Sequence, residues 1–196
     1  MEFDFDRENR SPVVKKIVIK ILIWILQIAA VVLLAYLITS YALEKTTALG
    51  NSMEQTLVEQ DKIIINKAAY RFSKPKRYDV VVFKQTNKEH SYLNIKRIVG
   101  LPGETIQISG GSVFINGTVL AEPIPVEAMV NSGLAEEEIT LDENEYFVLG
   151  DNRNNSEDSR FANIGNILAD DIIGKAWIRS NDFAFISNLN VIKEEK

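Results

Sequence analysis

The 196-residue chain contains no cysteine and only one histidine, His90. Disulfides, thiolate metal sites, iron–sulfur clusters and cysteine nucleophiles are therefore excluded. A metal site with two histidine ligands is impossible, and any Ser-His-Asp arrangement would have to use His90. That residue sits in a polar stretch (TNKEHS) that reads as a hairpin tip. Positive charge is also scarce, with 22 Lys+Arg against 27 Asp+Glu and a net charge of −5. Binding to nucleic acid needs clustered cations facing phosphates, so nucleic acid is not an expected partner. No metal and no cofactor is expected.

Charge is missing altogether from residues 21–43 (ILIWILQIAAVVLLAYLITSYAL). About 20 apolar residues cross the hydrocarbon core of a bilayer as a helix, and this run is long enough. A cleaved secretory signal has an apolar region of only about 7–15 residues. Trp24 near one end and Tyr36 and Tyr41 near the other suit the two interfaces. The flanks set the orientation: Arg7, Arg10, Lys15, Lys16 and Lys20 precede the run, and only Lys45, beside Glu44, follows it closely. Positive flanks stay on the cytoplasmic side. The expected layout is a cytoplasmic tail over 1–20, disordered at its start, a single transmembrane helix over 21–43 and an extracytoplasmic domain over 44–196. Without cysteine that domain needs no oxidative folding, which suits a bacterial surface. Beyond Lys20 lie 17 basic and 23 acidic residues, a balance of −6 that gives no reason to expect attraction to anionic lipid apart from the anchor.

The exported part reads as β. Apolar or alternating runs at 63–65, 79–84, 91–99, 105–109, 112–115, 118–120, 146–149, 172–180 and 183–186 predict strands. Gly110-Gly111 and Asn116-Gly117 fit two-residue hairpin turns. No long amphipathic helix follows the span. Residues 121–144, with the acidic run 136–138, read as a small insertion or a long surface loop. The expected fold is all-β, a partly closed barrel of antiparallel hairpins.

Three segments carry candidate chemistry. Ser52 lies within LGNSMEQTL, within roughly 30 Å of the span's end even if the chain were extended; taken alone, such a serine is a turn residue. A serine nucleophile needs a base, and a lysine serves only if burial lowers its pKa. Lys96, bracketed by Ile95, Ile98 and Val99 in an alternating run, fits best, although an edge-strand lysine reaching to water fits the pattern equally. Lys62 and Lys84 stand at strand ends. The third segment, GDNRNNSEDSR at 150–160, reads as a polar loop. A calcium loop is excluded, because Ser156 replaces the turn glycine and Ala162 the final glutamate.

Together these segments resemble the type I signal peptidases, membrane-bound Ser/Lys proteases that remove signal peptides from exported proteins. Four stretches match in order: SMEQTL from Ser52, RYDVVVF from Arg77, KRIVGLPGE from Lys96, and GDNRNNSEDSR from Gly150. The resemblance implies Ser52 as nucleophile and Lys96 as general base. It implies Ser156 as a hydrogen-bonding support for the lysine amine, an Asp158–Arg160 ion pair, and Asp151 and Arg153 as scaffold. Met53 would border the substrate cleft. Gly50 stands where two-anchor members carry a serine that assists the oxyanion hole, as in Gram-positive relatives, so the Ser52 amide would carry more of that role. The implied partners are the bilayer and signal peptides cut after A-x-A, at a Gram-positive bacterial cell membrane. Gln55 stands in place of the family's usual proline, Tyr78 of a glycine and Glu104 of an aspartate. The alternative is a signal-peptidase-like assembly factor for surface structures such as pili, with narrow or no proteolysis.

Overall fold

The computed structural model describes residues 11–84 and 92–188. The chain divides after Tyr41 into a helical unit and a β-rich unit. Helix α1, Ser11–Ala42, is 32 residues long, and its apolar side chains are exposed all round. At 1.5 Å per residue it is about 48 Å long, against a hydrocarbon core of about 30 Å. It begins ten residues before the uncharged run, so residues 11–20, expected as tail, are helical. Absence of charge sets where a helix sits in lipid, not where it starts; Lys15, Lys16 and Lys20 can reach outward along their stems. The disordered tail was expected over residues 1–12; residues 1–10 lie outside the described residues, as does His90, while Ser11 and Pro12 instead open α1.

The β-rich unit is antiparallel throughout. Its strands are β1 (Leu43–Thr47), β2 (Lys62–Asn66), β3 (Val80–Phe83), β4 (Asn94–Gly100), β5 (Thr105–Ser109), β6 (Ser112–Ile115), β7 (Thr118–Val119), β8 (Ile139–Thr140), β9 (Glu145–Leu149), β10 (Ile167–Leu168), β11 (Ile172–Arg179) and β12 (Ala184–Phe185). One sheet curls as a half-barrel in the order β1-β2-β11-β3-β4-β9-β10, with β12 on β11; the other runs β7-β6-β5-β8. The expected all-β class is what forms. Among the described residues after Ala42 the only helical pieces are short 3₁₀ turns.

Both hairpin turns follow from their residues. Gly110 and Gly111 sit at φ +56° and +78°, and Asn116 and Gly117 at +50° and +76°. Positive φ at both central residues is the type I′ turn, whose twist matches the flanking strands. Three strands escape the sequence pattern. In β1 only Leu43 is strongly apolar, and the strand exists because its backbone pairs with β2 from Leu43↔Asn66 to Thr47↔Lys62. The other two, β8 and β10, are only two residues long. Residues 121–144 pack inward: Ile124, Met129, Ala135 and Leu141 are buried, the last three in a cluster that joins the two sheets through Val99, Ile106 and Phe147.

Strand β4 runs through the interior of the first sheet. It lies between β3 and β9, with Val81 opposite Lys96 and Leu149 opposite Arg97. Six of its seven residues are buried, on both faces. Lys96 is therefore not an edge-strand lysine.

Candidate active site

Ser52 enters a tight loop just before Met53. The amides of Thr56 and Leu57 both donate to the Met53 carbonyl, at 2.7 and 2.6 Å, and that of Glu54 donates to Asn51 O at 3.1 Å. Met53 and Leu57 are buried in a core cluster with Ala48, Ile63 and Ile95. The turn thus closes on backbone bonds and two apolar anchors, with Gln55 at the position where proline is usual. Ser52 itself remains half-buried above them.

Lys96 Nζ lies 2.7 Å from Ser52 Oγ. The lysine is 5% exposed. Burial pushes its pKa below the ordinary lysine value, against the opposing pull of Asp158, Asp151 and Glu157. Desolvation of the ammonium outweighs three carboxylates because none of them pairs with it directly. A hydroxyl within hydrogen-bond reach of an amine inclined to be neutral is the geometry of an activated serine.

Residues 150–160 hold this pair from behind. The Asn152 amide donates to Ser52 O at 3.0 Å, and Asn152 Nδ2 to Glu54 Oε2 at 3.0 Å. Asp151 is fully enclosed, accepting from Arg97 Nε (2.7 Å), Arg97 Nη2 (2.6 Å) and Thr56 Oγ1 (2.5 Å). Arg97 also donates from Nη1 to Tyr78 O at 3.0 Å. This bidentate pair fastens the serine loop, β4 and the 150–160 loop to one another. Removing one partner of such a buried pair costs about 3–5 kcal/mol.

Asp158 and Arg160 form a second buried pair, Nε to Oδ1 at 2.8 Å and Nη2 to Oδ2 at 2.9 Å. Arg160 Nη1 donates to Asn131 O, and the Gly150 amide donates to Asp158 Oδ2 at 3.1 Å. Arg153 donates from Nε to Gly150 O and from Nη1 to Glu122 Oε1.

Ser156 is placed differently from what the resemblance implies. Its hydroxyl is buried without a hydrogen-bond partner among the described residues, so it makes no bond to Lys96. Gly150 explains how it comes so near. A Cβ on Gly150 would stand 2.2 Å from Ser156 Oγ and 2.6 Å from Ser52 O, so the missing side chain is what lets the two segments meet.

Beside the dyad is a narrow cleft of about 50 Å³, lined by Ala48, Leu49, Met53, Leu57, Leu93 and Ile95 together with Ser52, Asn94 and Lys96. Met53 lines it. Gly50 does not; it is exposed at φ +71°. Among the described residues no acidic or histidine cluster can hold a metal ion.

Sequence reasoning passed over Arg97, Thr56, Gly150 and Asn152. Arg97 carried a signal, since an arginine on the inner face of an alternating run needs a buried acid. The other departures have visible causes. Tyr78 sits at φ +72°, a backbone state that costs a non-glycine residue about 1–2 kcal/mol, which is why glycine suits the position. Glu104 reaches Arg77 and also accepts from the Leu101 amide at 2.8 Å.

A family model described as "Signal peptidase, peptidase S26" matches residues 21–180. A signal peptidase I of Leptolyngbya laminosa is 39% identical over 154 residues, 76% of this chain and 73% of its own length. A probable signal peptidase I-2 of a Synechocystis strain is 37% identical over 153 residues, 76% of this chain and 67% of its own. A signal peptidase I P of Bacillus subtilis subsp. natto is 33% identical over 180 residues, 88% of this chain and 92% of its own.

Proposed function

The chain belongs to the signal peptidase family, peptidase S26, and from that premise we propose how these residues perform the cleavage. It is a signal peptidase, a peptidase that removes signal peptides from preproteins. The reading of its chemistry is that Ser52 is the nucleophile and Lys96 the general base. The observation that carries it is the 2.7 Å approach of Lys96 Nζ to Ser52 Oγ inside a buried, apolar strand.

Neutral Lys96 takes the proton of Ser52 as Oγ bonds to the scissile carbonyl carbon. The resulting ammonium returns that proton to the nitrogen of the departing amine, and the C–N bond breaks. The signal peptide is left as an ester on Ser52. Water, deprotonated by Lys96, then attacks the ester and releases the peptide acid and free Ser52. The Ser52 amide is assigned to the developing oxyanion, as the family resemblance implies; one such donor contributes about 3 kcal/mol. The cleft beside Ser52 and Lys96 is narrow and walled mainly by apolar side chains, Ala48, Leu49, Met53, Leu57, Leu93 and Ile95, which suits a small apolar residue. That supports cleavage after alanine in an A-x-A site. Arg97, Asp151, Thr56, Asp158, Arg160 and Arg153 act as positioning residues. In this reading residues 1–20 face the cytoplasm, with 11–20 as the start of α1, the span follows over 21–43, and residues 44–196 lie outside the cell membrane.

Purified full-length protein in detergent should cut a preprotein with an A-x-A site after the second alanine, and Ser52→Ala should not. Folded wild type that leaves such a preprotein intact, or an active Ser52→Ala, overturns the reading.

Ser156 is assigned to the lysine by rotation of its hydroxyl onto Nζ when substrate arrives. Because the hydroxyl is buried and unpaired at rest, Ser156→Ala should be at least as stable as wild type, by up to about 1 kcal/mol. It should still lower kcat about tenfold, the value of one hydrogen bond worth about 1.4 kcal/mol. Unchanged kcat would remove Ser156 from the mechanism.

A further inference from the structure

The net negative charge of the β-rich unit conceals one segment of opposite character. Residues 67–77 (KAAYRFSKPKR) contain five basic residues and no acidic one. Lys67 pairs with Glu44 at 3.1 Å, and Arg77 pairs with Glu104. Arg71, Lys74 and Lys76 are exposed and make no ion pair among the described residues. Between them Phe72 stands 94% exposed, more than any other large apolar side chain described.

This exposure is held in place. Tyr70, two residues before, turns inward against the core with Val81 and Phe83, and its hydroxyl donates to Asp79 Oδ2 at 3.0 Å. The Arg71 amide donates to Ala68 O at 3.2 Å, Ser73 Oγ to Ala69 O at 2.7 Å, and the Lys76 amide to Asp79 Oδ2 at 3.0 Å. Pro75 fixes one more φ angle. The loop therefore presents Phe72 outward from a tethered turn.

Its position along the chain is equally telling. Asn66 pairs with Leu43, and the Lys67 amide donates to Ala42 O at 2.8 Å. The loop thus begins where the uncharged run ends and β1 begins. Phe72 lies within about 20 Å of that point even on an extended path. An exposed aromatic ringed by unpaired cations, so close to the end of a membrane-spanning run, matches an interface of anionic headgroups over acyl chains.

We propose that residues 71–76 dock on anionic phospholipid, with Phe72 entering the interface and Arg71, Lys74 and Lys76 meeting headgroup phosphates. The proposal rests on α1 being the membrane anchor. Docking at this loop fixes the tilt of the β-rich unit against the bilayer, and with it the height at which Ser52 meets its substrate.

The absence of cysteine makes the test direct. A nitroxide on Ser73→Cys, in the full chain in nanodiscs, reports collision with lipid-soluble oxygen against a water-soluble nickel chelate. A label on Tyr41→Cys reports the anchor, and one on exposed Glu137→Cys serves as a water reference. With phosphatidylglycerol present, position 73 should show lipid contact well above position 137. That contact should fall to the position 137 level in phosphatidylcholine alone, and in 1 M salt, where the Debye length is about 3 Å. It should also be lost in Arg71→Glu/Lys74→Glu/Lys76→Glu and in Phe72→Ser. Position 73 in water while position 41 reports lipid overturns the proposal, as does contact indifferent to charge and salt. A water-exposed position 73 that crosslinks to a protein in native membranes also overturns it, in favour of a protein partner. Position 41 in water overturns the anchor and the proposal with it.

Discussion

Lys96→Arg should lower the cleavage rate by about 10³-fold or more, and it should be less stable than wild type because its charge cannot be shed in this enclosed site. A guanidinium does not deprotonate in a protein, so the positive charge and much of the stem remain while the base is gone. Wild-type activity should rise with pH through the Lys96 pKa, which burial holds below the ordinary lysine value. The acid limb of kcat/KM therefore reports this residue. An active arginine variant, or an acid limb untouched by changes at position 96, would remove the lysine from the chemistry.

The same burial makes stability depend on pH. Native Lys96 has a lower pKa than lysine in the unfolded chain. Between the two values the unfolded chain holds the proton and the native protein does not, so stability rises with pH across that window. Below the native value both forms are protonated and the full cost of enclosing an ammonium is present. Lys96→Met, close in length and apolar, should therefore be more stable than wild type at low pH. That advantage should shrink as pH rises toward about 10.4, the ordinary lysine value. Denaturant unfolding in detergent at two pH values measures it. Equal stability of the two proteins at every pH would show that Lys96 is not strained by its surroundings.

Gly150→Ala should lower kcat/KM by about 10²-fold without touching a reacting atom. The added methyl would sit 2.2 Å from Ser156 Oγ, 2.5 Å from Ser156 Cβ and 2.6 Å from Ser52 O. Ordinary carbon contacts are about 3.5–4.0 Å, so something must move by about an ångström. Ser156 can swing its hydroxyl aside, but its Cβ and the Ser52 carbonyl belong to the chain. A displacement of that size at the nucleophile is worth about 10²-fold, and the crowding itself costs about 1–3 kcal/mol of stability. Gly150→Ala/Ser156→Gly separates the two effects. Removing the Ser156 side chain relieves two of the three contacts, so stability should recover in part while activity stays low. Full activity in Gly150→Ala would show that the approach of the two segments does not matter.

Much of the scaffold was legible because it rests on local patterns. The two hairpins follow from residue pairs that accept positive φ, and the Val80–Phe83 run declares a strand enclosed on both faces. What stayed hidden depends on partners distant in sequence. Alternation alone placed Lys96 in a strand but not between two others; that required β9, about fifty residues later. The enclosure of Arg97 by Asp151 and Thr56 joins three segments, and no spacing within any of them reveals it. The absence of a Ser156–Lys96 bond at rest lies below what any motif encodes. Charge summed over the domain pointed away from anionic lipid, because a sum erases the local excess at 67–77.

The interior place of Lys96 also acts as a safety catch. In an unfolded chain it is an ordinary solvated ammonium, 44 residues from Ser52. In the proposed mechanism it becomes a base only once β3, β4 and β9 enclose it and the Arg97–Asp151 pair holds the serine loop. A newly made or partly assembled copy is thus inert toward itself and its neighbours. Activation and folding are one event.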